Sequence, residues 1–213
     1  ILVIAPTGAG KTIAGFLPSI LDISEKKIKN RLHTIYISPL KSLAYDIERN
    51  LRIPFEKLKL DISLDIRTGD TSTYKKRLIL KKPPNILITT PESFALIMSY
   101  KDAEKYFSDI KCIIIDELHN LMHTKRGDLL SLNITRLRTF STSNVIALSA
   151  TIKDKKDALN YISNRKNKLL IQYKKKTFYN LNILKTKSRI PWSGHLASYA
   201  VADIYKKISN SYT

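Results

Sequence analysis

Apolar, β-branched runs recur along the chain at residues 1–5, 33–38, 62–67, 85–89, 111–116, 144–149 and 169–173. Each is five or six residues long, the length of a buried strand and too short for a buried helix. Between them, at 11–21, 41–57, 72–81, 91–99, 129–140 and 153–162, apolar positions return every three or four residues, which is the spacing of helices with one buried face. Strands alternating with helices predict right-handed βαβ units: an α/β fold with a mostly parallel sheet and helices on both faces. In that architecture ligands bind beyond the carboxyl ends of the strands, so chemistry is expected in the residues that follow each run. One more periodic stretch, 196–210, places Leu196, Ala200, Ile204 and Ile208 at every fourth position. It predicts a terminal amphipathic helix whose stripe, having no evident partner in the chain, is expected to stay exposed.

The first run leads straight into Ala5-Pro6-Thr7-Gly8-Ala9-Gly10-Lys11-Thr12, the pattern of a phosphate-binding loop. Gly8 and Gly10 remove side chains, so that backbone N–H groups from Thr7 to Lys11 can turn inward and cradle phosphate oxygens, with the positive end of the following helix behind them. Lys11 then reaches the β and γ phosphates, and the Thr12 hydroxyl ligates magnesium. Ala5 stands where a first glycine is usual. A nucleoside triphosphate with Mg2+ is the expected ligand.

The other run ends are equally distinctive. Ser38-Pro39-Leu40-Lys41 and Thr89-Thr90-Pro91-Glu92-Ser93 each place a hydroxyl residue before proline, an N-cap followed by a favoured first helical residue. Two helix N-termini on one sheet edge would make a row of anion sites suited to a phosphate backbone, and Arg67-Thr68-Gly69-Asp70 would add a guanidinium to it. The fifth run ends in Asp116-Glu117-Leu118-His119. There Asp116 could hold magnesium and Glu117 could accept a proton from the water that attacks the γ-phosphate. His119 reads as a member of that motif and His123 is unassigned. Ser149-Ala150-Thr151, after the sixth run, offers small hydroxyls that could bond to the Asp-Glu segment and sense its state.

Composition narrows the class. The 213 residues are 43% hydrophobic and 26% charged, enough for one core with an appendage. No apolar run approaches the length of a membrane span and no signal-peptide pattern opens the chain, so a soluble, cytoplasmic protein without a membrane partner is expected. Cys112, the single cysteine, lies in an apolar run and reads as a small buried hydrophobe. The net charge of +19 permits a polyanion partner. Lys outnumbers Arg 27 to 10, however, and scattered lysines are commonly a solvated surface, so charge alone does not establish one.

Together, residues 5–12, 38–41, 67–70, 89–93, 116–119 and 149–151 resemble the ordered motif set of superfamily-two helicases of the DEAD/DEAH type. Four stretches are most similar to the large helicase-related (Lhr) branch: 38–44 with 46–51, 67–71, Lys125-Arg126-Gly127, and Pro191-Trp192-Ser193-Gly194-His195. The resemblance implies a RecA-like fold and an ATP-driven translocase on single-stranded DNA, or RNA, that separates duplexes. It implies that Lys11 and Thr12 contact phosphates and magnesium, that Asp116 holds the metal and that Glu117 positions the water. His119, Ser149 and Thr151 would couple hydrolysis to strand movement, while Ser38, Pro39, Lys41, Arg67, Gly69, Thr90 and Pro91 would line the strand-binding edge. Such motors have two RecA-like domains with ATP between them. Residues 1–173 are expected to be the first domain, truncated at its front since the chain opens on Ile1 with the loop strand at once. Residues 174–213 are expected to be a linker and helix leading to a second domain that is missing.

Overall fold

The computed structural model describes residues 1–163, 167–173, 183 and 197–210, which fall into two units, 1–175 and 176–213. The first unit contains strands Leu2–Ile4 (β1), Thr34–Ile37 (β2), Leu64–Arg67 (β3), Ile86–Thr89 (β4), Cys112–Ile115 (β5), Asn144–Ser149 (β6) and Leu170–Gln172 (β7). Its helices are Lys11–Lys26 (α1), Lys41–Lys57 (α2), Thr73–Lys81 (α3), Pro91–Met98 (α4), Ala103–Phe107 (α5), Lys125–Leu137 (α6) and Lys155–Ile162 (α7). The strands form one sheet in the order β3-β4-β2-β5-β6-β1-β7. Every pairing is parallel, so the sheet is wholly parallel where a mostly parallel one was expected, and all carboxyl ends share one edge.

Burial on both faces explains why strands β1 to β6 read as continuous apolar runs and not as alternating ones, whereas β7, at the sheet's edge, is exposed at all three residues despite its apolar run. On one face Ile35, Ile37, Leu87, Ile113, Ile115 and Ala147 pack against Phe94 and Ile97 of α4, Leu130 and Ile134 of α6 and Ala158 of α7. On the other, Tyr36, Ile66, Ile88, Ile114, Ile146 and Leu148 meet Phe16 and Ile23 of α1 and Ala44, Ile47, Leu51 and Phe55 of α2. Each Leu, Ile or Phe among them contributes about 1.5–3 kcal/mol by leaving water, so the sheet is a rigid floor for the loops at its edge. Cys112 is buried in this core, and burial pushes its thiol up to about 11. It behaves as the small hydrophobe expected.

Helix starts follow their caps. Ser72, Thr90, Thr124 and Asp154 each accept a backbone N–H of the first turn of α3, α4, α6 and α7. Thr124 accounts for α6 beginning at Lys125 and not at 129, since its Oγ1 accepts from Gly127 N at 3.1 Å. The Ser38-Pro39 pair differs from expectation. Leu40 is the N-cap of α2 and has no side-chain cap, because Ser38 Oγ is engaged locally, donating to Leu40 O at 2.9 Å. The short helix α5 and a 3-10 turn at Leu118–Asn120 were not anticipated. In the second unit a 3-10 turn, Ala197–Ala200, precedes helix Val201–Ser209 (α8), within the predicted 196–210. Leu196, the lysines at 174–176 and the 191–195 stretch lie outside the described residues. Among the described residues no helix is long and apolar enough to cross a membrane.

Candidate functional site

The loop between β1 and α1 has the conformation its glycines demand. Gly8 and Gly10 sit at φ 78° and 79°, in the left-handed region that L side chains rarely adopt, and a Cβ on either would meet nothing within 4 Å. Backbone shape, not crowding, therefore requires glycine here. Helix α1 starts at Lys11 with Gly10 at its N-cap and no side-chain cap, which leaves its first N–H groups free of side-chain partners at the positive end of the helix. The Lys11 ammonium curls back over the loop, donating to Ala5 O at 2.7 Å and Pro6 O at 3.0 Å, and is nearly buried. Thr12, partly buried, follows on the first turn. An open cradle, uncapped N–H groups and a flexible cation bonded only to carbonyls within the loop fit a phosphate chain.

Asp116, one residue past β5, is 4% exposed. Both of its carboxylate oxygens have donors: Glu117 N reaches Oδ1 at 2.9 Å, and the Tyr36 hydroxyl donates to Oδ2. Burial, and then the charge of Asp116, push the Tyr36 hydroxyl far above its ordinary value, so it stays a donor. Glu117 holds φ 45°, a left-handed conformation that costs a non-glycine residue on the order of 1 kcal/mol. That backbone turn separates the two carboxylates and starts the Leu118–Asn120 turn. Glu117 Oε2 is buried without a hydrogen bond and lies 3.3 Å from His119 Nδ1. The same His119 nitrogen pairs with Ser149 Oγ at 2.9 Å, and Ser149 Oγ donates to Thr151 O at 2.9 Å. The expected link between the Asp-Glu segment and Ser149-Ala150-Thr151 is thus present, with His119 as the bridge. His123 is apart from this group, 3.0 Å from Asp157. Among the described residues no three His, Cys, Asp or Glu side chains gather as a metal cage. One carboxylate, Asp116, and one hydroxyl, Thr12, suit a magnesium ion that takes its other ligands from phosphate and water.

A cleft of about 420 Å³ lies beside these parts, with Thr7 of the loop, Glu117 and His119 of the turn, Ala150, and Leu40 and Asp46 of the α2 entry on its walls. A larger cavity, about 1300 Å³, opens at the strands' amino ends beside Ile1, His33, Lys111 and Asn144, and contains none of the predicted site residues.

The expected strand-binding residues lie along β2, β3 and β4 at the same carboxyl edge, in two kinds of environment. Lys41 and Gly69 are exposed. Lys41 Nζ pairs with Asp70 at 2.7 Å, and Lys76 Nζ donates to Gly69 O at 2.8 Å. Ser38, Pro39, Thr90 and Pro91 are buried, and they shape the two loops with the Thr90 cap and the Ser38 bond. Arg67 corrects the expectation of a guanidinium on the edge. It is 1% exposed, donates to Tyr100 Oη at 2.7 Å and lies 5.3 Å from that ring's centre. Beyond the family resemblance, no local sequence pattern gives Arg126 a role. Arg126 donates through Nε and Nη2 to the Glu92 carboxylate at 2.5 and 3.3 Å and through Nη2 to Pro39 O at 2.8 Å, tying the loops after β2 and β4 to α6. Burial alone would push the Glu92 carboxyl up. Hydrogen bonds from Arg126, from its own backbone and from Thr90 outweigh this and hold it below the usual glutamate value.

An all-parallel sheet with a phosphate-type loop, an Asp-Glu turn and a hydroxyl-bearing sixth strand end defines a P-loop NTPase domain of RecA-like fold. Residues 1–159 match the DEAD/DEAH box helicase family, and the chain belongs to that family. It is 42% identical over 166 residues to the ATP-dependent helicase Lhr-Core of Methanocaldococcus jannaschii, an alignment covering 71% of this chain and 20% of that one. Among solved structures it resembles the helicase Lhr of Mycobacterium smegmatis bound to ssDNA and AMP-PNP, with TM-score 0.74 and 35% identity over 81% of this chain and 23% of that one. The DEAD-box helicase Mss116 bound to ssRNA and UDP-BeF, with TM-score 0.72 and 24% identity over 82% of this chain and 37% of that one, shares the fold. The chain spans about one fifth of the length of the Lhr-Core relatives it matches.

Proposed function

We propose that this chain is the ATP-binding first RecA-like domain of a helicase or translocase that couples ATP hydrolysis to movement on single-stranded DNA or RNA. Lys11 leaves the Ala5 and Pro6 carbonyls to meet the β and γ phosphates, while the N–H groups of Thr7 to Lys11 hold their oxygens. Magnesium, when bound, neutralises charge on the phosphates; Thr12 and Asp116 are the residues that hold it. Glu117, with Oε2 free of hydrogen bonds, orients the attacking water and takes its proton. His119, Ser149 and Thr151 transmit the state of that turn to β6, and the loops carrying Ser38, Pro39, Lys41, Arg67, Gly69, Thr90 and Pro91 form the strand-binding edge, Arg67 from beneath. A second RecA-like domain would close the site from the opposite side, with residues 174–213 as the lead into it. The observation that carries this reading is the bridge from Glu117 through His119 to Ser149, with Glu117 and His119 sharing one cleft with Thr7 of the phosphate loop. It joins the water-positioning carboxylate to a third strand, which a simple phosphate-binding enzyme does not require.

Calorimetry with Mg·ATP tests it. The chain should bind nucleotide, and Lys11→Ala should lose at least tenfold in affinity while keeping its circular dichroism spectrum, because the loop loses its one cation against the phosphates. Unchanged affinity in a folded variant would reject the site.

A further inference from the structure

Tyr36 lies in the run Thr34–Ile37, where an aromatic residue reads as one more strand hydrophobe. The sheet register gives it a second role. Tyr36 pairs with Ile114 of β5, and side chains alternate along a strand, so Asp116, two residues beyond Ile114, projects to the same face. Two residues of parallel strand advance about 6.6 Å, a distance that a tyrosine side chain spans to its hydroxyl. The hydroxyl consequently meets Asp116 Oδ2. The other face of the contact is equally fixed: the Tyr36 ring stacks on Phe16 of α1, with centroids 5.1 Å apart and planes 20° from parallel, and Tyr36 is completely buried. One side chain thus touches both halves of the nucleotide site, the helix that begins at Lys11 and the carboxylate at the end of β5.

We propose that Tyr36 is a positioning residue for magnesium: its hydroxyl fixes the orientation of Asp116 so that the carboxylate presents its remaining lone pairs to the ion, and its stacking on Phe16 keeps α1 in register with that carboxylate. This rests on the reading of Asp116 as the metal-holding group. Groups that orient a metal-ligating carboxylate are typically worth 10–100-fold in metal affinity or activity. A residue that only fills the core would have no such effect.

The test is the ratio of ATP affinities with magnesium and with chelator, measured by fluorescence titration on the 213-residue chain for wild type, Tyr36→Phe and Asp116→Ala. Tyr36→Phe retains the ring and its stacking on Phe16. Any loss of folded protein lowers both affinities alike and cancels in the ratio. The expected result is a magnesium enhancement about tenfold smaller in Tyr36→Phe, with affinity in chelator unchanged, and an enhancement abolished in Asp116→Ala. If Asp116→Ala loses the enhancement and Tyr36→Phe keeps it, or if Tyr36→Phe weakens both affinities equally, the role given to Tyr36 is wrong while the site stands. If Asp116→Ala retains the full enhancement, the assignment of the metal to Asp116 falls.

Discussion

Replacing Gly127 by alanine should destabilise the chain severely, although glycine to alanine inside a helix ordinarily stabilises by about 1 kcal/mol. An added Cβ would stand 2.0 Å from Leu121 O and 2.7 Å from Leu121 C, and both are backbone atoms that no side-chain rotation can move. The first turn of α6 would have to retreat, at a cost of about 1–3 kcal/mol for overpacking. Retreat breaks the cap from Thr124 Oγ1 to Gly127 N, 3.1 Å, worth about 1 kcal/mol. It also breaks the bond from Tyr161 Oη to Gly127 O, 2.6 Å, worth about another 1 kcal/mol. Set against the propensity gain, the net loss is about 2–4 kcal/mol, a large part of a typical domain's stability. Urea unfolding followed by circular dichroism measures it, with Gly69→Ala as the control. A Cβ at position 69 meets only the flexible end of Lys41, at 3.5 Å, and should cost within about 0.5 kcal/mol. A Gly127→Ala chain as stable as wild type, at equal denaturant slope, would refute the account of why α6 starts where it does.

Two further outcomes are expected. The chain alone should hydrolyse ATP slowly even with single-stranded DNA, because arginine contacts to the transition state are worth about a thousandfold or more and the proposed second RecA-like domain would have to supply them; rapid DNA-stimulated phosphate release removed by Glu117→Gln would contradict this. Glu92 should titrate below an ordinary glutamate in carbon-detected NMR. With its folded value lowered, the Arg126 tie contributes fully above the ordinary glutamate value and is lost as pH falls through the lowered one. Arg126→Ala should move that midpoint up, and an unmoved midpoint would deny the tie.

The part of the fold and site legible in the sequence is what local composition encodes. Strands buried on both faces read as apolar runs, and the phosphate loop is written in consecutive residues whose backbone conformation depends on glycine. The Ser149 contact was also foreseeable, since small hydroxyls at one strand end face the motif at the next. What stayed hidden depends on partners distant in sequence. Arg67 looked like an edge cation because nothing near it announces Tyr100, 33 residues on. Ser38 looked like a cap because the preference for Ser-Pro at helix starts does not register that its hydroxyl closes a turn onto Leu40 first. The start of α6 was set by a cap and a close backbone approach, neither of which has a hydrophobic period.

The strand order has an engineering consequence. β3, β4 and β2 carry the loops of the proposed strand-binding edge, and β5, β6 and β1 carry those of the proposed nucleotide site, so the two sets occupy contiguous blocks that meet at a single seam between β2 and β5. Between the blocks, Tyr36 to Asp116 and Arg126 to both Pro39 and Glu92 are the side-chain ties described above. Loops at 38–42, 67–72 and 89–93 could therefore be exchanged as a cassette with those of a relative, provided Leu40 and Ser42 on the cleft wall and Tyr36, Arg126 and Glu92 are kept, and the recipient would retain its fuel site while acquiring a different grip.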